Sequence, residues 1–269
     1  MNIFKKLFRI YIQSSLHVAL AVTSLAAVTV FEFGYVPEPS VLLVILFGTI
    51  IGYNFVKYAG ISNLHHLEIT PNINLIRGFS VLCMAALVYY ARLLSLDVIL
   101  VAAGFGGLTL LYALPLYRSR NLRSIPGAKI FIIGLVWMGI TVLVPLEYHN
   151  LRFSSKIFYQ CLEIFLFVIA LTLPFEIRDL KFDAPKLSTI PQKLGVQNTK
   201  WLGTGLLVAA AIVSGVQNYV DETHFYISLA IFLLTLVFLW SSKKQQRKYY
   251  ASFWVEGISI LWLVLILMI

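Results

Sequence analysis

LPFEIRDLKFDAP, residues 173–185, follows directly on a long apolar run and gathers Glu176, Asp179 and Asp183 within eight positions. That is three of the chain's twelve acidic residues. Asp179 and Asp183 are spaced i,i+4, and Glu176 precedes Asp179 by three, so continued helix would project all three carboxylates from one face. Three like charges on one face repel unless something positive lies among them. Arg178 and Lys181 are adjacent in sequence, but on a helix they point elsewhere. A divalent cation would relieve the repulsion. Magnesium suits it, because it takes one or two carboxylates together with substrate phosphate oxygens and water. The plainer alternative is a solvated helix end whose acids pair with nearby Lys and Arg.

The rest of the chain sets where such a segment can sit. Hydrophobic residues make up 59% of the 269, and charged residues only 12%, about half the share of a soluble domain. The composition is that of an integral membrane protein. Nine apolar stretches are long enough to cross a bilayer, at about 13–33, 40–58, 77–95, 97–117, 128–147, 157–176, 201–219, 224–241 and 250–269. Gly104, Gly106 and Gly107 in the fourth predict close helix approach. With the N-terminus inside, 18 of the 21 basic residues fall on the cytoplasmic side and three on the other, as the positive-inside rule requires. The net charge of +9 therefore reflects membrane topology rather than a nucleic-acid partner. Cys83 and Cys161 lie apart inside apolar segments and predict neither a disulfide nor a metal site. The chain reads as one all-α, polytopic transmembrane domain, 1–269. Its long loops, 59–76 and 177–200, face the cytoplasm, in a bacterial-type inner membrane.

Nine spans with an acidic cluster after the sixth resemble the UbiA superfamily of intramembrane prenyltransferases. In that family two Asp-rich motifs follow the second and sixth helices and hold magnesium ions that bridge the diphosphate of a polyprenyl donor. The second motif reads N-D-x-x-D-x-x-x-D, followed by a Gly, a T-L-P-like turn and another Gly. In FEIRDLKFDAPKLSTIPQKLG, residues 175–195, Glu176, Asp179 and Asp183 take the acidic positions, and Thr189, Ile190, Pro191 and Gly195 echo the tail. The tail is one residue shorter and the intervening Gly is absent. A further echo, YALPLYRSRNLRSIPGAKIFIIGLVW, residues 112–137, resembles the loop between the fourth and fifth helices, where a basic residue contacts diphosphate; Arg120 or Arg123 is the counterpart.

The first motif departs from the pattern. GYNFVKYAGISNLHH, residues 52–66, keeps Asn54 but has Phe55, Tyr58 and Ser62 at the acidic positions. Asn54 could offer a carbonyl oxygen, and Lys57 could neutralise charge. The resemblance thus implies a magnesium-assisted prenyltransferase in a UbiA-like bundle, acting on a polyprenyl diphosphate and a small hydrophobic, electron-rich acceptor. Asp179 and Asp183 would hold the metal, with Glu176 assisting, and Asn54, Lys57, Tyr112, Arg120, Arg123 and Lys181 would meet the substrate. The alternative keeps the fold and discards the chemistry, leaving a protein that binds a prenyl lipid or quinone, or supports a partner. Glu163 and Glu256, inside spans, are functional candidates by default. His17 is expected to be a hydrogen-bonded interior histidine.

Overall fold

A computed structural model describes residues 3–58, 72–114, 122, 125, 127–183, 187–217 and 222–269. Within them the regular structure is helical: α1 (Ile3–Gln13), α2 (Leu16–Glu32), α3 (Pro39–Tyr58), α4 (Ile73–Ala91), α5 (Leu96–Ala113), α6 (Lys129–Tyr148), α7 (Ser155–Asp179), α8 (Ile190–Gln217), α9 (Glu222–Ser241) and α10 (Tyr250–Ile266). The seven helices α3 to α9 are each long and apolar enough to cross a membrane. The first predicted span, 13–33, is α2, preceded by α1 at a bend of 56°, and the two together are long and apolar enough to cross a membrane. Ser15, at the break, has a φ of 62°, a left-handed conformation that an α-helix cannot continue through. The last predicted span is the shorter apolar helix α10. The chain is an integral, multi-pass membrane protein.

Side-chain size decides which helices lie inside. The sequence of α2, LHVALAVTSLAAVTVFE, is apolar all round and rich in Ala, and it is buried on every face, as a central helix must be. It packs against α3, α6 and α10, while α7 packs against α6, α8 and α9. Phe167, Phe232 and Trp262 lock α7, α9 and α10 together. The Trp262 ring meets Phe167 at 5.2 Å and 84°, and Phe232 at 5.6 Å and 88°, edge-to-face pairings that add about 0.5–1.5 kcal/mol each beyond burial. By contrast α4 and α5 turn Val81, Leu82, Leu96 and Leu100 outward, the apolar surface a lipid-facing helix keeps.

Two departures from regular helix have local causes. Pro145 has no N–H for the carbonyl of Thr141, and the preceding stretch Gly139–Leu143 widens into a π-turn, where the Phe105 ring of α5 occupies the space a Cβ at Gly139 would need. In α8, Gly195 adopts φ 76° and ψ 165°, a region open essentially to glycine alone. The expected close approach at Gly104, Gly106 and Gly107 is not found: a Cβ on any of them would meet nothing within 4 Å among the described residues. Those glycines lie on the outer helix α5, away from the crowded centre.

Candidate functional site

The helix ends carrying the two sequence motifs converge. Around the left-handed Ser15, the serine Oγ donates to Asn54 Oδ1 at 2.8 Å and accepts from Lys57 Nζ at 2.9 Å. Asn54 Nδ2 donates in turn to Ser80 Oγ at 3.0 Å, and the Tyr58 hydroxyl donates to the carbonyl of Gln13 at 2.9 Å. The end of α3 is thereby pinned to the α1–α2 break. Lys57 lies 5.8 Å from the centroid of the Tyr53 ring, whose hydroxyl accepts from Trp137 Nε1 at 2.8 Å. The charges of Glu256, at the start of α10, and of Arg178, at the end of α7, both act on Lys57. Glu256 is thus part of this end of the bundle.

On the facing side, Lys129, the first residue of α6, reaches Glu176 Oε1 at 2.7 Å and Asp183 Oδ2 at 3.2 Å. Both carboxylates are almost closed to solvent, their side chains 3% and 2% exposed. Helix α7 stops at Asp179, whose carbonyl accepts from the backbone N–H groups of Phe182 and Asp183, both at 2.8 Å. This turn carries Asp183 back over Glu176. Asp179 is gripped by Arg178, with Nε to Oδ1 at 2.7 Å and Nη2 to Oδ2 at 3.2 Å, while its charge still acts on Glu176 and Lys129. Arg178 therefore does not point elsewhere, as continued helix had suggested. The following loop is fastened by Gln192, which donates to the carbonyl of Asp183 at 3.0 Å and accepts from the N–H of Thr189 at 2.9 Å.

The sequence-derived residues thus fall into three sets. Asn54 and Lys57 share Ser15, Glu176 and Asp183 share Lys129, and Asp179 belongs to Arg178. Tyr112 is buried at the end of α5 and acts electrostatically on Lys129. Lys181 extends over the Phe182 ring, 4.6 Å from its centroid. Arg120 and Arg123 lie outside the described residues. A resident divalent cation does not fit the donors found here. Among the described residues no three His, Cys, Asp or Glu side chains are placed to hold a metal ion, and the two carboxylates that do come together, Glu176 and Asp183, already hold an ammonium between them.

Two participants escape the sequence. Lys129 reads there as one more topology-setting charge, and Ser15 carries no signal beyond being one of two adjacent serines. Glu163 is fully buried but belongs to the opposite end, within electrostatic reach of Glu32; Gln160 Nε2 donates to Glu32 Oε2 at 2.6 Å and accepts from Gln217. His17 accepts from the Tyr11 hydroxyl at Nδ1, 2.7 Å, and donates from Nε2 to the carbonyl of Phe253, 2.9 Å. It is the interior, hydrogen-bonded histidine expected. A groove of about 920 Å³ runs along α3 and α4, bounded by Tyr58 and Arg77 near the site and by Arg92 at the other end, with Asn54 and Ser80 in its wall.

No protein-family model and no curated protein matches the sequence. Solved structures do match in three dimensions. A UbiA homolog from Archaeoglobus fulgidus bound to Cd2+ superposes with a TM-score of 0.67 at 14% identity, covering 95% of this chain and 98% of that one. The same homolog bound to GPP and Mg2+ gives 0.66 at 16% identity over 95% and 98%. A structure of digeranylgeranylglyceryl phosphate synthase gives 0.56 at 14% identity over 96% and 93%. Divalent metals and a prenyl diphosphate are thus bound by proteins of this shape. The resemblance first carried by residues 175–195 holds at the level of the whole chain: this is the UbiA fold.

Proposed function

We propose that the protein is a UbiA-type prenyltransferase that takes a polyprenyl diphosphate, headgroup at the Asp179 end and tail among the helices. The observation that supports this reading most is the convergence of the ends of α3 and α7, which brings Lys57, Arg178 and Lys129 to one end of a UbiA-fold bundle. The groove along α3 and α4 offers an apolar wall for the tail, and Asn54 belongs both to it and to the headgroup end. In this reading nine spans place the N-terminus and the Asp179 end in the cytoplasm. The C1–O bond of the donor breaks with its electron pair leaving on the diphosphate. An electron-rich acceptor carbon then bonds to the allylic C1 and loses its proton to the departing phosphate oxygens or water. Lys57, Arg178, Arg120, Arg123 and Lys181 supply charge to the leaving group. Tyr112 and Asn54 border it, and Glu176, Asp179 and Asp183 hold the cations in place.

A second reading, a UbiA-fold protein that binds a prenyl lipid without transferring it, is favoured by one observation. The acids of the first motif are absent, and those of the second are already held by Lys129 and Arg178. A metal cage contributes several kcal/mol to a departing diphosphate, so turnover without it would be slow. The experiment is release of inorganic diphosphate from geranylgeranyl diphosphate by the purified protein, with a panel of aromatic acceptors. Acceptor-dependent release supports transfer. Binding without release selects the second reading, and neither binding nor release defeats both.

A further inference from the structure

We infer that Lys129 and Lys57 take the places that divalent cations would hold, so that this site binds a prenyl diphosphate without metal. The inference rests on the proposed reading that a diphosphate lies at the Asp179 end. Lys129 bridges two buried carboxylates from successive turns, with Nζ 2.7 Å from one and 3.2 Å from the other, the role a metal ion plays between two acidic ligands. A magnesium ion between these carboxylates would sit about 2.1 Å from their oxygens, beside the ammonium that Glu176 Oε1 already holds at 2.7 Å. The two cations would therefore repel one another and compete for the same pair of acids, and Lys129 is fixed there by its place at the start of α6. The third carboxylate has a cation of its own, Arg178, which bonds to both oxygens of Asp179.

The facing position makes the same exchange. The expected acids of the first motif are absent, and a lysine, Lys57, stands one turn after Asn54 on the same helix. It is oriented by Ser15 at 2.9 Å, and the charges of Glu256 and Arg178 act on it. A site that lacks the expected acids on one side and carries fixed cations of its own on both has less need of imported positive charge. Each ammonium has three N–H groups and the guanidinium five. The bonds described here engage two on Lys129, one on Lys57 and two on Arg178. Donors thus remain for the oxygens of a diphosphate, in a geometry set by Glu176, Asp183, Asp179 and Ser15.

The test is equilibrium binding of geranyl diphosphate to the full-length protein in detergent, in EDTA and in millimolar magnesium. Wild type is expected to bind in EDTA with an affinity within about twofold of that in magnesium, and Lys57→Met to lose at least tenfold in both. As a second measurement, Lys129→Ala frees the Glu176 and Asp183 oxygens, so millimolar magnesium should raise its melting temperature while leaving wild type unmoved. Binding that vanishes in EDTA overturns the inference and leaves the prenyl-diphosphate reading intact. Absence of binding in both conditions overturns that reading and the inference with it. Metal-free binding untouched by Lys57→Met, or a wild type whose melting responds to magnesium as strongly as Lys129→Ala, also overturns the inference.

Discussion

Replacing Lys129 with Met leaves its hydrocarbon volume nearly intact but removes the ammonium from between Glu176 and Asp183. Those carboxylates are 3% and 2% exposed and Lys129 14%, so water is not at hand to take its place. Removing one partner of a buried ion pair costs about 3–5 kcal/mol, because the remaining charge is left uncompensated. For domains of about 150–250 residues, slightly shorter than this chain of 269, 1 kcal/mol corresponds to about 2–4 °C in melting temperature. The lower bound of 3 kcal/mol therefore predicts a fall of about 6–12 °C, measured by intrinsic tryptophan fluorescence of the detergent-solubilised protein. The triple variant Lys129→Met/Glu176→Gln/Asp183→Asn removes both sides of the interaction, and should recover most of the loss, since exchanging a whole buried ion pair for neutral groups is far cheaper than breaking it. A single variant melting within 2 °C of wild type, or a triple variant no better than the single, would mean that Lys129 does not hold these acids.

Gly195→Ala should destabilise by about 1–3 kcal/mol, because φ 76° and ψ 165° admit no side chain without strain; a melting shift under 1 °C would count against the bend in α8. Trp262→Ala removes a fully buried indole shared by Phe167 and Phe232 and should cost about 3–5 kcal/mol, read by the same assay. His149 lies between α6 and α7, its ring stacked on Tyr35 at 4.5 Å. Burial lowers its pKa from 6.5, against a smaller opposing effect of Glu38. The folded state thus binds the proton less readily than the unfolded chain. The His149 contribution is complete above about pH 6.5 and is lost as pH falls through the lowered value. His149→Phe should therefore melt with less pH dependence than wild type between about pH 5 and 7, and identical profiles would remove His149 as the cause.

Apolar runs of the right length were legible because a bilayer imposes length on every spanning helix, and α3, α5, α6 and α9 begin within two residues of the sequence reading. The start of α8 was not. PQKLGVQNTK is polar enough to read as loop, yet helical structure begins at Ile190, a short helical segment set off from the rest of α8 by the non-helical Gly195 and fastened to Asp183 through Gln192. The left-handed Ser15 was equally silent, since no local pattern separates it from a serine inside a helix. Within the site, the acids were legible as a cluster but not their partners. Lys129 lies 54 residues from Asp183, and only the packing of α6 on α7 joins them. Arg178 was misdirected by helical geometry, which separates neighbours i and i+1. At Asp179 the helix ends, and a long guanidinium can fold back along its own terminus.

The absent acids after α3 and the lysine at the head of α6 are better taken together than apart. Had only the first-motif acids been lost, Glu176, Asp179 and Asp183 would face one another with nothing positive fixed among them, and an imported cation would still be needed at that end. Had only Lys129 been gained, a first cage of acids would remain to draw metal to the facing side. In this chain both conditions hold: Lys57 stands on α3 where the pattern calls for acids nearby, and Lys129 and Arg178 account for all three second-motif carboxylates. Each second-motif carboxylate is therefore engaged by a cation of this chain, while the backbone that presents it keeps the UbiA arrangement. A reversal of the exchange, Asn54→Asp/Lys57→Asp/Lys129→Ala, should accordingly make thermal stability depend on millimolar magnesium, with a rise of several degrees on adding metal and a matching fall in EDTA. A triple variant that folds and melts indifferently to both would show that these positions do not exchange lysine for metal.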